Sequence, residues 1–302
     1  MRLPRIVVLV SCIGALLVQQ ANAGSFGFVP GHYYSANGLY GGATILEYDQ
    51  LGHTVAGRGM AWPTDFGRLA FGPDGNLYAT AYYYDGQLVR QDILSLNDQF
   101  EVQKHYALPA GLRGAEIVFD NAGHFYWGNA QFDIGEPDSG RRFLPDNVSL
   151  EAILPDGHFL VVQDRSLREL DADRNFLREV LSAQRPAANV AYDPHTRMVF
   201  ASGRMNNESW IWSVNFDSGE LVNSIHWQAS DLFMTKEGLL LASSFDASAA
   251  LFSSDLVPIL YLNSFPEAIT RFVPEPTTWS LVLSGVGVLS IWRRHKQRSR
   301  KA

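Results

Sequence analysis

The chain has 302 residues, of which 46% are hydrophobic, 18% charged and 12% aromatic, and this composition excludes a disordered or collagen-like protein. Its single cysteine excludes a disulfide framework and any multi-cysteine zinc or iron–sulfur site. Its net charge of −7 argues against a nucleic-acid-binding protein.

The first 23 residues have the three-part pattern of a secretory signal peptide. Arg2 and Arg5 form a positive start, the apolar run 6–18 follows, and Ala21 and Ala23 form a small-x-small cleavage site. The alternative is a membrane anchor, but the 13-residue run is short for a membrane span. We therefore predict export, with cleavage after Ala23.

The middle of the chain, residues 26–272, repeats one pattern in which a turn precedes an aromatic or aliphatic strand. Its six copies start at Gly31, Gly75, Gly123, Gly157, Thr196 and Gly238, with a mean spacing of about 41 residues. An apolar strand precedes most of the turns, and two further strands come after the strand that follows the turn. Each unit therefore holds four short strands. Four strands in a unit of this length are typical of a β-propeller blade. Six blades are predicted, and seven blades or a β-sandwich with a meander are the alternatives.

The two ends of the repeat region predict how the ring of blades closes. Residues 26–31 lack a convincing first strand, whereas a spare strand, 267–272, follows the last unit. We expect 267–272 to complete the N-terminal blade as its innermost strand, which removes an open sheet edge. In this organisation the sequence resembles the six-bladed NHL/gluconolactonase-like propellers over nearly all of 26–272. The predicted fold class is an all-β, six-bladed β-propeller with this strand-exchange closure.

Every predicted innermost strand carries a polar residue three positions before its last apolar residue. These residues are Arg68, Glu116, Glu151, Asn189, Asp231 and Glu267. Because innermost strands line the channel of a propeller, we expect a polar ring near one mouth. Its carboxylates could bind Ca²⁺ or another divalent cation, or raise one another's pKa by like-charge repulsion. Alternatively, these positions are polar because the channel is wet.

The resemblance to gluconolactonase-like propellers implies a more specific ligand set. Those proteins hold a divalent metal with Glu, Asn and Asp side chains from innermost strands. Glu116 or Glu151, together with Asn189 and Asp231, occupy comparable positions here. The chain contains no serine-hydrolase, zinc-protease, P-loop or dinucleotide motif.

Two other groups of residues are candidate sites. His32, His124 and His158 follow the turn glycine at matching repeat positions, and this recurrence favours a structural role over metal binding. Residues 133–147, which are rich in glycine, proline and arginine, are predicted to form the longest irregular insertion. Long loops at a propeller face often bind ligands.

The C-terminus combines three features in a fixed order. Pro274, Glu275 and Pro276 precede the apolar segment 278–292, and a basic stop follows at Arg293, Arg294, Lys296 and Arg298. As a transmembrane helix the apolar segment would span about 23 Å at ~1.5 Å per residue, short for a ~30 Å hydrocarbon core. The basic stop should remain on the cytoplasmic side.

This order of features resembles the PEP-CTERM sorting signal of Gram-negative bacteria that make exopolysaccharide and biofilm. The resemblance implies recognition by an exosortase, transient membrane anchoring and removal of the tail near Pro274–Pro276. The alternative is an ordinary single-pass anchor.

The charge distribution separates a signal peptide (1–23, net +2), a propeller domain (24–273, net −14) and a sorting tail (274–302, net +5). The first functional hypothesis is an exported, non-catalytic binding or scaffold module. Its precursor would be membrane-anchored, and the mature protein would lie in the cell envelope or the extracellular matrix. Its partners would be the secretion machinery, an exosortase and an exopolysaccharide or envelope protein. The alternative is a metal-dependent lactonase or lyase that uses the acidic channel residues.

Overall fold

A computed structural model of the protein describes residues 27–37, 43–60, 65–85, 88–108, 116–235, 237–244, 248–263 and 268–271. All regular elements in these ranges are β-strands, and they form six four-stranded antiparallel sheets. The predicted all-β, six-bladed propeller is therefore confirmed. The predicted signal peptide and sorting tail lie outside the described residues. Within the ranges given, no helix is long and apolar enough to cross a membrane.

The strands follow one another around the ring blade by blade. The first blade begins with β1 (Tyr33–Asn37), β2 (Ala43–Tyr48) and β3 (Thr54–Met60). The second blade contains β4 (Asp65–Phe71), β5 (Leu77–Asp85), β6 (Leu88–Leu96) and β7 (Val102–Ala107), and the third contains β8 (Ile117–Phe119), β9 (His124–Trp127), β10 (Ala130–Asp133) and β11 (Glu136–Arg142).

The remaining three blades have the same order. The fourth contains β12 (Val148–Ile153), β13 (Phe159–Gln163), β14 (Ser166–Leu170) and β15 (Phe176–Leu181), and the fifth contains β16 (Asn189–Asp193), β17 (Met198–Met205), β18 (Glu208–Asn215) and β19 (Leu221–His226). The sixth contains β20 (Ala229–Met234), β21 (Leu240–Ser244), β22 (Ser248–Phe252) and β23 (Pro258–Asn263). The last strand of the chain is β24 (Ala268–Arg271).

The ring closes through β24, which joins the first blade as its innermost strand. β24 pairs antiparallel with β1, so that Tyr33 lies opposite Arg271 and Ala36 opposite Ala268. Each innermost strand contacts those of the two adjacent blades, and β24 contacts both β4 and β20. The predicted strand exchange is thus confirmed for residues 268–271. It supplies the fourth strand of the first blade and covers the inner edge of β1.

The hydrophobic core lies between adjacent blades. Phe125 and Phe132 stack with their ring centroids 4.8 Å apart, in a buried cluster that also holds Trp127 and Tyr78. Trp212 is buried in a corresponding cluster between the fourth and fifth blades. Aromatic side chains each bury roughly 150–250 Å². The aromatic repeats therefore hold neighbouring blades together.

The prediction of an irregular insertion at 133–147 is wrong, because the centre of this segment, Glu136–Arg142, forms β11. β11 pairs with β10, with Gln131 opposite Arg141 and Asp133 opposite Glu136. Pro137 and Gly140 suggested a loop, but β11 is the outermost strand of its sheet. Proline is tolerated on an edge strand, where one side of the backbone has no strand partner.

Candidate functional site

The guanidinium of Arg68 is the centre of a polar cluster in the channel. Its Nη1 lies 2.5 Å from Asp231 Oδ1 and donates a 2.7 Å hydrogen bond to the Ser230 carbonyl. Its Nη2 donates to Asn189 Oδ1, and Glu116 Oε1 lies 3.4 Å from Nη1. One cation on the second blade thus contacts groups from the third, fifth and sixth blades.

The cluster is nearly closed to solvent. The side chains of Arg68 and Glu116 are 19% and 15% exposed, and that of Asp231 only 3%. A buried guanidinium is tolerated only when acceptors compensate its lost hydration, and its five N–H groups allow it to contact several at once. Asn189 Nδ2 donates to Ser202 Oγ at 2.9 Å, which orients the amide oxygen towards Arg68.

Burial also changes the protonation of the two glutamates. It raises the pKa of Glu116 well above its usual range, against the opposing effect of the Arg68 cation. It likewise raises the pKa of Glu151 to about 7. Burial alone would lower the pKa of Arg68, but Asp231 and Glu116 outweigh it and raise that pKa. Arg68 therefore stays charged, while Glu151 titrates near neutrality.

The residues of the predicted ring are brought together, but around an arginine. Glu116, Asn189 and Asp231 contact the guanidinium of Arg68, and Glu151 interacts with it electrostatically. Glu267 lies outside the described residues. These oxygen donors match the chemistry of a hard cation, yet the guanidinium puts positive charge where such an ion would bind. The set does not fit a divalent cation while Arg68 is in place, and its assignment as a metal site stays a prediction.

Next to the ring, the channel widens into a cavity of about 1170 Å³. Its walls are formed by innermost strands and the turns that follow them, with Phe71, Phe119, Ile153 and Phe233 among the apolar lining. Glu116 and Glu151 also line it and supply carboxyl groups. The cavity is therefore amphipathic, and it is a concave site of the kind that commonly binds ligands.

The histidines that follow the turn glycines are held by carboxylates. His158 Nδ1 lies 2.9 Å from Glu169 Oε1 and 3.6 Å from Asp156 Oδ2, and Glu169 raises the pKa of His158. His32 Nδ1 lies 2.6 Å from Glu47 Oε1 in the first blade. Recurrence of the same pair in two blades supports the structural interpretation of these histidines.

Sequence reasoning missed the two glutamates of these pairs, Glu47 and Glu169. A signal was present in the sequence, because Glu47 and Glu169 each stand two residues before an aspartate, Asp49 and Asp171, that directly follows the third strand of the blade. In the fourth blade Asp156 adds a third group, and the ligand-type atoms of Asp156, His158 and Glu169 lie within 4.8 Å of one another. Arg178 Nε already donates to the second oxygen of Glu169 at 2.7 Å.

Fold and channel together define the class of protein as a six-bladed β-propeller with an acidic central cavity. No family model and no curated protein matches the chain. Among solved structures, TolB from Acinetobacter baumannii is 15% identical, with 89% of this chain and 73% of that chain covered and a TM-score of 0.60. A chain in the crystal structure of a nidogen/laminin complex is 12% identical, with 79% of this chain and 97% of that chain covered and a TM-score of 0.59.

A protein of unknown function from Bacteroides caccae is likewise similar. It is 12% identical, with 80% of this chain and 98% of that chain covered and a TM-score of 0.57. At these identities the likeness shows the propeller fold alone.

Proposed function

We propose that this protein is an exported, non-catalytic β-propeller that binds a partner in the cell envelope or the extracellular matrix. The observation that carries the proposal is the engagement of the channel carboxylates by Arg68, beside a large amphipathic cavity. The Arg68 guanidinium competes with a metal ion for these carboxylate oxygens, whereas the cavity beside them can hold part of a partner.

The lactonase or lyase alternative requires Arg68 to leave its acceptors. The test is calorimetric titration of the full chain with Ca²⁺, Mn²⁺ and Zn²⁺, combined with turnover assays on lactones and uronate-containing polysaccharides. We expect no metal-dependent turnover. Turnover that requires a metal and is lost in Glu116→Gln and Asp231→Asn would overturn the non-catalytic proposal.

The export part of the proposal rests on the sequence of the two ends. The signal-peptide pattern and the PEP-CTERM resemblance support secretion, exosortase processing and release of a mature domain close to residues 24–273. The test is the intact mass of the protein from the envelope fraction and the culture medium of its host. We expect a species that lacks residues 1–23 and the apolar tail.

A matched variant tests the sorting motif itself. Replacing Pro274, Glu275 and Pro276 by alanine leaves the apolar segment and the basic stop in place. This variant should accumulate in the membrane fraction with its tail attached. If the unsubstituted protein also retains residues 277–302 in the membrane, the tail is an ordinary anchor and the sorting proposal fails.

A further inference from the structure

The histidines that follow the turn glycines differ in how carboxylates surround them. In the described part of the chain, His32 pairs with one carboxylate, that of Glu47, at 2.6 Å from Nδ1. His124 has two carboxylate neighbours on different ring nitrogens, Asp120 at 2.7 Å from Nδ1 and Asp133 at 3.4 Å from Nε2. Because an ion binds one nitrogen of an imidazole ring, neither arrangement brings three ligand atoms to one point.

In the fourth blade, two carboxylates face the same ring nitrogen. His158 Nδ1 lies 2.9 Å from Glu169 Oε1 and 3.6 Å from Asp156 Oδ2. Glu169 reaches it from β14, opposite Leu160 on β13, and Asp156 reaches it from the turn before β13. The three ligand-type atoms lie within 4.8 Å of one another, and no other group of three His, Cys, Asp or Glu side chains in the described ranges comes together in this way.

Each of the two carboxylates uses its other oxygen in the fold. Arg178 Nε donates to Glu169 Oε2 at 2.7 Å, and the backbone N–H of His158 donates to Asp156 Oδ1 at 3.1 Å. Hydrogen bonds of this kind orient the ligands of metal sites. Arg178 therefore approaches the far oxygen of Glu169, whereas Arg68 in the channel lies among the carboxylates that it contacts.

A proton on His158 Nδ1 serves one of these carboxylates but not both. It can bond to Glu169 at 2.9 Å, whereas the 3.6 Å to Asp156 Oδ2 is beyond hydrogen-bond length. A tetrahedral Zn²⁺ ion, with bonds of about 2.0–2.2 Å, holds its ligand atoms about 3.3 Å apart, which lies between the two distances. The Asp156 side chain is 53% exposed, so it has room to turn towards such an ion.

We propose that Asp156, His158 and Glu169 bind Zn²⁺ through one imidazole nitrogen and two carboxylate oxygens. The imidazole favours zinc over Ca²⁺ and Mg²⁺, which take oxygen ligands. Three protein ligands leave a fourth position for water or for a group of a bound partner. Gly157, between two of the ligands, lines the cavity, so the site lies at its rim. This inference goes beyond the proposed function and does not depend on it.

The test is calorimetric titration of the full chain with ZnCl₂, after purification in a mild detergent and removal of metals with EDTA. We expect one Zn²⁺ per chain at this site. Asp156→Asn keeps an oxygen for the His158 N–H and removes the charge. It should weaken binding at least ~10-fold, equivalent to about 1.4 kcal/mol. Unchanged affinity in this variant would overturn the proposal.

Two histidine variants form a matched pair. His158→Gln should abolish binding at the site. His32→Gln should retain it, because His32 occupies the same repeat position and pairs with Glu47 without a third ligand. Circular dichroism establishes that both variants are folded. Equal loss of zinc binding in the two would contradict the assigned ligands.

The visible absorption of bound Co²⁺ gives a second readout, which reports the ligands rather than the affinity. We expect the intense bands of a four-coordinate ion in the unsubstituted protein and in His32→Gln, and their loss in His158→Gln. Bands that persist in His158→Gln would place the ion elsewhere.

The outcomes separate this inference from the proposed function. If the unsubstituted protein binds no Zn²⁺, this inference fails and the non-catalytic function stands. Zinc binding without turnover supports both. Zinc-dependent turnover would refute the non-catalytic function, whichever residues hold the ion.

Discussion

Arg68 Nη1 lies 2.5 Å from Asp231 Oδ1, and this ion pair joins the second and sixth blades across the first. The first blade is the one that the two ends of the chain build together, since β24 pairs with β1. The pair therefore spans the closure of the ring from inside the channel. Because Asp231 is almost fully buried, removal of the Arg68 cation would leave its carboxylate without charge compensation.

Replacement of Arg68 by methionine should be strongly destabilising. The variant leaves Asp231 and Glu116 buried without their cation, and breaking a buried pair typically costs about 3–5 kcal/mol. Urea unfolding at pH 8 measures the loss, which should be smaller at pH 5 because the carboxyl groups can then take up protons. Arg142→Met is the control, since Arg142 pairs with Asp146 at the surface and such pairs contribute about 0–1 kcal/mol. Equal losses in the two variants would contradict the central role of Arg68.

Removal of the Arg68 side chain should also create affinity for calcium. In Arg68→Ala the oxygens of Glu116, Asn189 and Asp231 lose the cation that they contact, and they match the ligands that Ca²⁺ prefers. Calcium at ten times its Kd should stabilise the variant by about 1.4 kcal/mol and leave the unsubstituted protein unchanged. Thermal unfolding with calcium or EDTA measures the difference. A calcium response in the unsubstituted protein would show that Arg68 does not exclude the ion.

The stability of the protein should fall as the pH rises from about 4.5 to 7. Burial raises the pKa of Glu151 to about 7 from its usual 4.5, so the folded state holds a proton that the unfolded state has released. At about 1.36 kcal/mol per pKa unit this contributes a loss of up to about 3 kcal/mol. Urea unfolding at half-unit intervals between pH 4.5 and 8 measures the slope. Glu151→Gln should reduce the dependence of the free energy of unfolding on pH. If the dependence is unchanged in that variant, other groups cause it.

Truncation of the chain should show that the closing strand is part of the fold. A chain that ends at residue 273 keeps β24, whereas one that ends at residue 263 loses it and exposes the inner edge of β1. The longer chain should unfold cooperatively, and the shorter one should lose a large fraction of the 5–15 kcal/mol typical of a domain. Urea unfolding and limited proteolysis measure the stability of the two chains. Equal stability of the two chains would mean that the ring does not depend on β24.

Two glycines on different strands should differ in how well they tolerate replacement by alanine. A Cβ at Gly203 on β17 would lie 1.6 Å from the Pro186 carbonyl oxygen, so the backbone would have to move. A Cβ at Gly59 on β3 would have Thr44 Oγ1 as its nearest neighbour at 3.9 Å. Gly203→Ala should cost about 1–3 kcal/mol, and Gly59→Ala should be nearly neutral. Thermal unfolding of the two variants checks the contrast.

The blades were predictable because their signals are local. Gly75 and Gly157 have φ values of +80° and +84°, a backbone conformation that favours glycine. Glycine therefore recurs at these turns, and the repeat can be recognised in the sequence. The prediction of a loop for 133–147 was wrong because Pro137 and Gly140 are unusual in a strand, except in an outermost strand such as β11. That position is a property of the sheet, and local sequence does not report it.

The sequence by itself predicted six blades, the closing strand and the polar residues Arg68, Glu116, Glu151, Asn189 and Asp231, since turn chemistry and apolar alternation act over a few residues. Only the tertiary structure decided what those polar residues do. Arg68 meets Asn189 and Asp231 because closure of the ring brings distant strands to one axis, and the low dielectric there strengthens the contacts that they make. The polar residues that the sequence marks as a candidate metal site, or as the lining of a wet channel, thus lie around an arginine in the folded protein.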